Sequence, residues 1–143
     1  MAVSYNDIAR FAEDLARTAS CEIERRVAAS KAYYSAFHAA RSFQNRLNKP
    51  RGKVGGSHAT ICLALTSMPP KVTMTTADMK RIRKIGHLLR RCRDRRCEAD
   101  YDLHLAIEQM YADRQVRDCA FIRSEISDLA VAYPNKRIRA GKP

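Results

Sequence analysis

The chain has 143 residues, 45% of them hydrophobic and 29% charged, which is enough for one domain with a real core and excludes a disordered polymer. Lys and Arg number 27 against 15 Asp and Glu, a formal net charge of +12 with a pI near 9.9, and this excess favours a polyanionic partner through phosphate contacts and counterion release. No apolar run reaches the roughly 18 residues of a transmembrane helix, and Met1 to Asp7 has neither the basic start nor the apolar core of a secretory signal. The expectation is a cytoplasmic protein with no membrane contact. The five cysteines, Cys21, Cys62, Cys92, Cys97 and Cys119, are odd in number and never spaced Cys-x-x-Cys. That spacing argues against a zinc site or a disulfide framework, and no cofactor is expected.

Ser4 to Asp7 forms a capping-box pattern, and Ile8, Phe11, Ala12, Leu15 and Ala19 follow at helical spacing. A second helical pattern runs from about Cys21 to Leu47, with Ile23, Val27, Tyr34, Phe37 and Ala40 as its stripe, and ends before Pro50. Residues 50–57 read as a flexible basic loop. A short helix is expected from His58 to Thr66, broken by Met68-Pro69-Pro70. Thr75 to Asp78 is a second capping-box candidate, opening a helix over about 76–96 with the stripe Met79, Ile82, Ile85, Leu89 and Cys92. A turn is expected around 97–102, with Asp100 or Asp102 capping a last helix from about Leu103 to Ala132. That helix carries Leu103, Ile107, Met110, Phe121, Ile122, Ile126 and Leu129. No period-two segment of useful length appears. The expected fold is all-α, an antiparallel four- to five-helix bundle with a short crossover helix, over residues 1–134; residues 135–143 read as a basic, disordered tail.

The densest charge lies between Lys80 and Arg96, nine basic residues against Asp94 alone. Most of these belong on a solvated face, where replacing one by Ala changes stability by only about 0.5 kcal/mol. Arg96 does not fit that face. Steps of three and four carry the apolar stripe from Ile82 through Ile85, Leu89 and Cys92 to Arg96, so this side chain points toward the core and needs an acceptor. Asp100, four residues on, is the expected partner. A structural ion pair and a functional site are both open readings of this pair. In the second helix, Tyr33 with Phe37 and Tyr34 with His38 are i,i+4 pairs. Their polar ends need partners, which puts them at the edge of the core or in a cleft.

The segment Ser-Lys-Ala-Tyr-Tyr-Ser-Ala-Phe-His-Ala-Ala-Arg (30–41) resembles the second-helix signature of HEPN domains. Ser57-His58 and Arg96-Cys97-Glu98-Ala99-Asp100-Tyr101 fall where the UPF0332-like branch has a Ser-His and an Arg-x-x-Ala-Asp-Tyr. Lys31 stands where Arg is usual. The resemblance covers most of the chain. It implies a homodimeric helical domain of prokaryotic defence or toxin–antitoxin systems that binds RNA and, in many members, cleaves it without metal. Cleavage there uses an Arg followed four to six residues later by His, the Arg stabilising phosphate charge and the His acting as acid or base. Here Tyr101 stands five residues after Arg96 and His104 eight, and Arg81 with His87 matches the spacing only within a run dense in Arg, so the usual motif is not convincingly present.

On this reading Arg96, Asp100, Tyr101 and His104 are the candidate catalytic residues, and Arg90, Arg91, Arg93, Arg95, Lys31, His38 and His58 the candidate RNA-binding residues. The alternative is a non-enzymatic helical protein that docks a cognate partner such as a nucleotidyltransferase-like subunit.

Overall fold

A computed structural model describes residues 2–52 and 55–135. It contains five α-helices packed as a bundle: α1 (Tyr5–Thr18), α2 (Glu22–Phe43), α3 (Ser57–Ser67), α4 (Thr76–Tyr101) and α5 (Gln109–Ala132). A 3-10 turn, Gln44–Arg46, follows α2. No strand occurs among the described residues, and one isolated bridge joins Leu47 to Pro70. The fold is the all-α bundle expected from the sequence. Of the expected disordered tail, residues 136–143 lie outside the described residues. Among the described residues no helix is long and apolar enough to cross a membrane.

Of the two expected capping boxes, the first forms in full and the second in half, the Thr75 amide going to Tyr133 Oη instead of Asp78. Ser4 Oγ accepts the Asp7 amide at 3.1 Å while the Asp7 carboxylate accepts the Ser4 amide at 2.9 Å, closing a full capping box. Thr75 Oγ1 accepts the Asp78 amide at 3.1 Å at the start of α4.

Helix α2 is the central element, packed against α1, α4 and α5. It is buried on most sides, through Ala28, Ala29, Ala32, Ala36, Ala39 and Ala40 together with Tyr33, Phe37 and Phe43. Small side chains let neighbouring backbones come close, and such a helix shows little amphipathic bias. This explains a correction in α1. Its buried face is Ala9, Ala12 and Ala16, not the larger stripe, and Phe11 is 54% exposed. Hydrophobic size, not hydrophobicity alone, decides which face of α1 meets the alanine surface of α2.

The N-terminal turns of α2 carry a second correction. Ile23 and Val27 are exposed, because the polar side of these turns faces inward. Arg25 Nε donates to the Ile107 carbonyl at 2.8 Å, and Arg26 Nη1 donates to the Ala99 and Asp102 carbonyls at 2.9 and 3.0 Å. The joint between α4 and α5 also differs from expectation. Helix α4 continues through Tyr101, and α5 begins only at Gln109. Asp102 accepts the amides of His104 and Leu105 at 3.2 and 3.3 Å, shaping a turn rather than capping a helix, while Asp100 lies inside α4. Leu103 and Met110 are exposed, and Ile107 is fully buried.

Three arginines, Arg26, Arg46 and Arg83, cap helix C-terminal ends. Arg26 holds the last turn of α4 as above. Arg46 donates to the Tyr133 carbonyl after α5 and to the Ser42 carbonyl of α2, both at 2.9 Å. Arg83 donates to the Leu65 and Met68 carbonyls closing α3, at 2.9 and 2.8 Å. A guanidinium suits this place because the last carbonyls of a helix lack intrahelical donors and carry the negative end of its dipole.

Helices α3 and α4 pack closely at Gly86. A Cβ there would meet Thr66 Cγ2 at 2.7 Å, Leu65 Cβ at 2.8 Å and the Leu65 carbonyl carbon at 3.1 Å. This contact sets α3, and with it His58, against α4.

Candidate functional site

The apolar stripe of α4 is buried at Ile82, Ile85, Leu89 and Cys92, and Arg96 continues it at 7% exposure. The guanidinium lies over the rings of Tyr33 and Tyr34, 5.4 and 5.5 Å from their centroids, within cation–π range. Its Nη1 is 3.6 Å from Asp100 Oδ2, and that oxygen also accepts the Ser30 hydroxyl at 3.2 Å. Arg96 Nε is buried and has no hydrogen-bond partner among the described residues. The expected pair therefore exists but is long, and it leaves the guanidinium short of acceptors.

His58 enters from the first turn of α3. Its Nδ1 is 2.7 Å from Tyr33 Oη, and its ring stacks on Phe37 with centroids 4.1 Å apart. Tyr33 is fully buried, and burial raises its pKa far above the ordinary phenol value, so the hydroxyl keeps its proton and shares a hydrogen bond with Nδ1. The pKa of His58 is lowered, first by burial, then by the charges of Arg96, Arg93 and His38. The ring is thus neutral at neutral pH, with one N–H donor and one acceptor nitrogen.

Lys31 lies over the Tyr34 ring at 5.6 Å, and His38 stands edge-on to Phe37 at 5.2 Å. Arg90 and Arg93 line a groove of about 220 Å³ between α3 and α4, with Ala59, Cys62 and Leu63. The segments 30–38, 57–58 and 96–100, far apart in the chain, meet at one place through these contacts.

Other candidates fall elsewhere. Tyr101 follows Arg96 by five residues, about 140° around the helix, and is 75% exposed. His104 is exposed on the turn after α4. Arg95 turns to α5, where it pairs with Asp118 at 2.7 Å. Arg91 is exposed on α4. The charge run is also less free than its composition implies. Arg81 pairs with Glu125 and Asp78, and Arg83 caps α3, so these positions are not the solvated, dispensable face that the sequence implied. Ser30, Tyr33 and Tyr34 join the site without having been singled out as site residues. Their signal was helical register with Lys31 and His38, since the residues around one turn of α2 surround the same point.

This arrangement can hold an anion. It supplies an under-paired guanidinium, a neutral imidazole N–H and nearby cationic side chains around the N-terminal turn of an 11-residue helix. Among the described residues no three His, Cys, Asp or Glu side chains are grouped to hold a metal ion. Compared with family models, with curated proteins and with solved structures, the chain finds no match.

Proposed function

We propose that the protein binds RNA, gripping a backbone phosphate where α2, α3 and α4 meet, as an RNA-binding member of the HEPN type that segment 30–41 resembles. The observation that carries this reading is the buried, under-paired Arg96 guanidinium, with the neutral imidazole of His58 packed on the same Tyr33. A guanidinium presents five donors in a planar fork. A single carboxylate contact at 3.6 Å leaves most of them unused, and a phosphate offers two oxygens at matching spacing. Asp100, four residues on in α4, touches the fork at 3.6 Å and is itself held by the Ser30 hydroxyl of α2. Arg93 and Arg90 extend the positive surface along α3.

A neutral imidazole offers a hydrogen bond to a phosphate and not a proton to a leaving group, so the test reads binding first and cleavage beside it. A role in defence or toxin–antitoxin regulation, with the chain acting as a homodimer or beside a cognate partner, follows from the resemblance as part of the proposal. The test is labelled single-stranded RNA titrated with wild type, Arg96→Lys and Arg96→Ala, followed by gel analysis for strand scission. A folded Arg96→Lys keeps the charge, loses the fork and is expected to bind at least tenfold more weakly, the equivalent of about 1.4 kcal/mol. Equal affinity of wild type and both variants would overturn the reading.

A further inference from the structure

Beside the phosphate site lies a cleft of about 490 Å³ between α1 and α2, whose walls include Val3, Ile8, Phe11, Lys31, Tyr34 and His38. That volume is in the range of small-molecule sites, roughly 300–1,000 Å³. Its apolar walls face water: Phe11 is 54% and Val3 72% exposed. The bundle core does not use these side chains, since α1 packs on α2 through alanines. Tyr34 joins the two places. Its ring has the Arg96 guanidinium at 5.5 Å and the Lys31 ammonium at 5.6 Å, and it also lines the cleft. The carboxylate at the cleft, Asp7, is occupied by the amide and hydroxyl of Ser4 and by Arg10, so the rim offers cations and the walls offer aromatic faces.

From this juxtaposition we infer that the cleft receives an unstacked base of single-stranded RNA whose phosphate sits at Arg96. The inference rests on the phosphate-binding reading above and names the class of RNA. Bases stack on aromatic side chains whatever their sequence, and a nearby ammonium adds a cation–π term. A base inside an A-form duplex presents no free face, so duplex RNA cannot fill the cleft. A purely electrostatic site would need no aromatic wall, and a purely apolar occupant would gain nothing from Lys31 and His38.

The experiment measures fluorescence anisotropy with three probes: a short oligouridylate, an abasic ribose-phosphate strand of equal length, and a duplex. The proteins are wild type, Phe11→Ala, Phe11→Trp and Arg96→Ala, each checked by thermal melting. Phe11→Ala is expected to weaken oligouridylate binding by roughly 5- to 150-fold, the range of one base stack, with the abasic strand unaffected and Phe11→Trp close to wild type. Arg96→Ala is expected to weaken both strands. If Phe11→Ala weakens both strands equally, or neither, the base cleft is overturned and the phosphate site stands. Binding of the duplex as tight as the oligouridylate overturns it likewise. If wild type binds none of the three probes, the phosphate reading falls and the cleft with it. Sedimentation of the same samples covers the remaining occupant: a dimer that Phe11→Ala dissociates, with RNA affinity unchanged, makes the cleft an interface between copies and overturns the proposal.

Discussion

Arg96 Nη1 stands 3.6 Å from Asp100 Oδ2 while Arg96 Nε, buried in the same side chain, has no hydrogen-bond partner among the described residues. A buried donor left unpaired costs about 1–3 kcal/mol, so this residue carries a local penalty that a purely structural role does not justify. The two roles separate in the choice of substitution. Arg96→Met keeps the stem volume over Tyr33 and Tyr34 and removes the unpaired donor, and the Asp100 carboxylate left behind is partly solvated and still accepts from Ser30. Denaturant unfolding is expected to place Arg96→Met within about 1 kcal/mol of wild type, with RNA binding lost. Arg96→Ala also opens a cavity, and is expected to cost about 2–4 kcal/mol. An Arg96→Met protein that unfolds as readily as Arg96→Ala would make the pair structural.

The charge run yields a second expectation, because its members have different partners. Arg90 and Arg93 line the groove beside the site, whereas Arg81, Arg83 and Arg95 are engaged by Glu125, by the C-terminal carbonyls of α3 and by Asp118. Replacing Arg90 or Arg93 by Ala should flatten the slope of log affinity against log salt by about 0.7 each, the single-strand value per phosphate contact, at nearly constant stability. Arg83→Ala should leave that slope unchanged and lower stability by about 1–3 kcal/mol, since it strips charged donors from two helix-end carbonyls. Salt titrations and melting curves on these variants check both halves. Equal slopes for all of them would mean that the whole run contacts RNA.

These partners mark where the sequence stopped being legible. Ser4 with Asp7, Thr75 with Asp78, and Arg96 with Asp100 are local pairs, and spacing alone reveals them. Arg26 with Ala99, Arg46 with Tyr133 and Arg83 with Leu65 join residues 73, 87 and 18 apart in the chain, and no local pattern encodes a carbonyl that distant. Net charge therefore overstates the cations available to a ligand. Phe11 misled for a different reason. Periodicity weighs hydrophobicity, whereas the alanine face of α2 selects by size, and the rejected Phe11 ring lines the cleft instead. Helix boundaries near 102–108 were obscured because Asp102 makes a turn with its own downstream amides.

His58 predicts a pH dependence. Its imidazole faces Tyr33 and His38 from α2 and Arg93 and Arg96 from α4, and burial first, then those cationic neighbours, lowers its pKa below the ordinary 6.5. Between the folded and unfolded values the unfolded chain binds more protons, so stability rises with pH in that window. The contribution is complete above about 6.5 and is lost as pH falls through the folded value. Urea midpoints should therefore fall between about pH 7 and pH 5, and His58→Phe should flatten that fall while keeping the stack on Phe37. His58→Phe also leaves the Tyr33 hydroxyl without its hydrogen-bond partner, a constant offset that does not change the slope. An unaltered slope in the variant would assign the pH dependence to other groups.

Gly86 tests how tightly α3 must sit. In an ordinary exposed helix, Gly→Ala stabilises by about 1 kcal/mol. Here the new methyl would meet Thr66 Cγ2 at 2.7 Å, Leu65 Cβ at 2.8 Å and the Leu65 carbonyl carbon at 3.1 Å. Two of these three atoms belong to one residue, and one of them is backbone, so rotating a side chain cannot relieve the clash and α3 itself must move. Overpacking of this kind costs about 1–3 kcal/mol, enough to reverse the propensity gain. Gly86→Ala is expected to lower Tm by a few degrees, about 2–4 °C per kcal/mol in a chain of this size. The displacement also moves His58, at the other end of α3, relative to Tyr33 and Arg96, so RNA affinity should fall even where the variant remains folded. Thr66→Ser supplies the control. It removes Cγ2 and keeps the hydroxyl that donates to the Cys62 carbonyl at 2.8 Å. In the Gly86→Ala background it should recover part of the loss, a coupling that contacting residues show and distant ones do not. A Gly86→Ala protein that melts higher than wild type would mean that α3 rides loosely on α4 and that His58 is not held in register with Arg96.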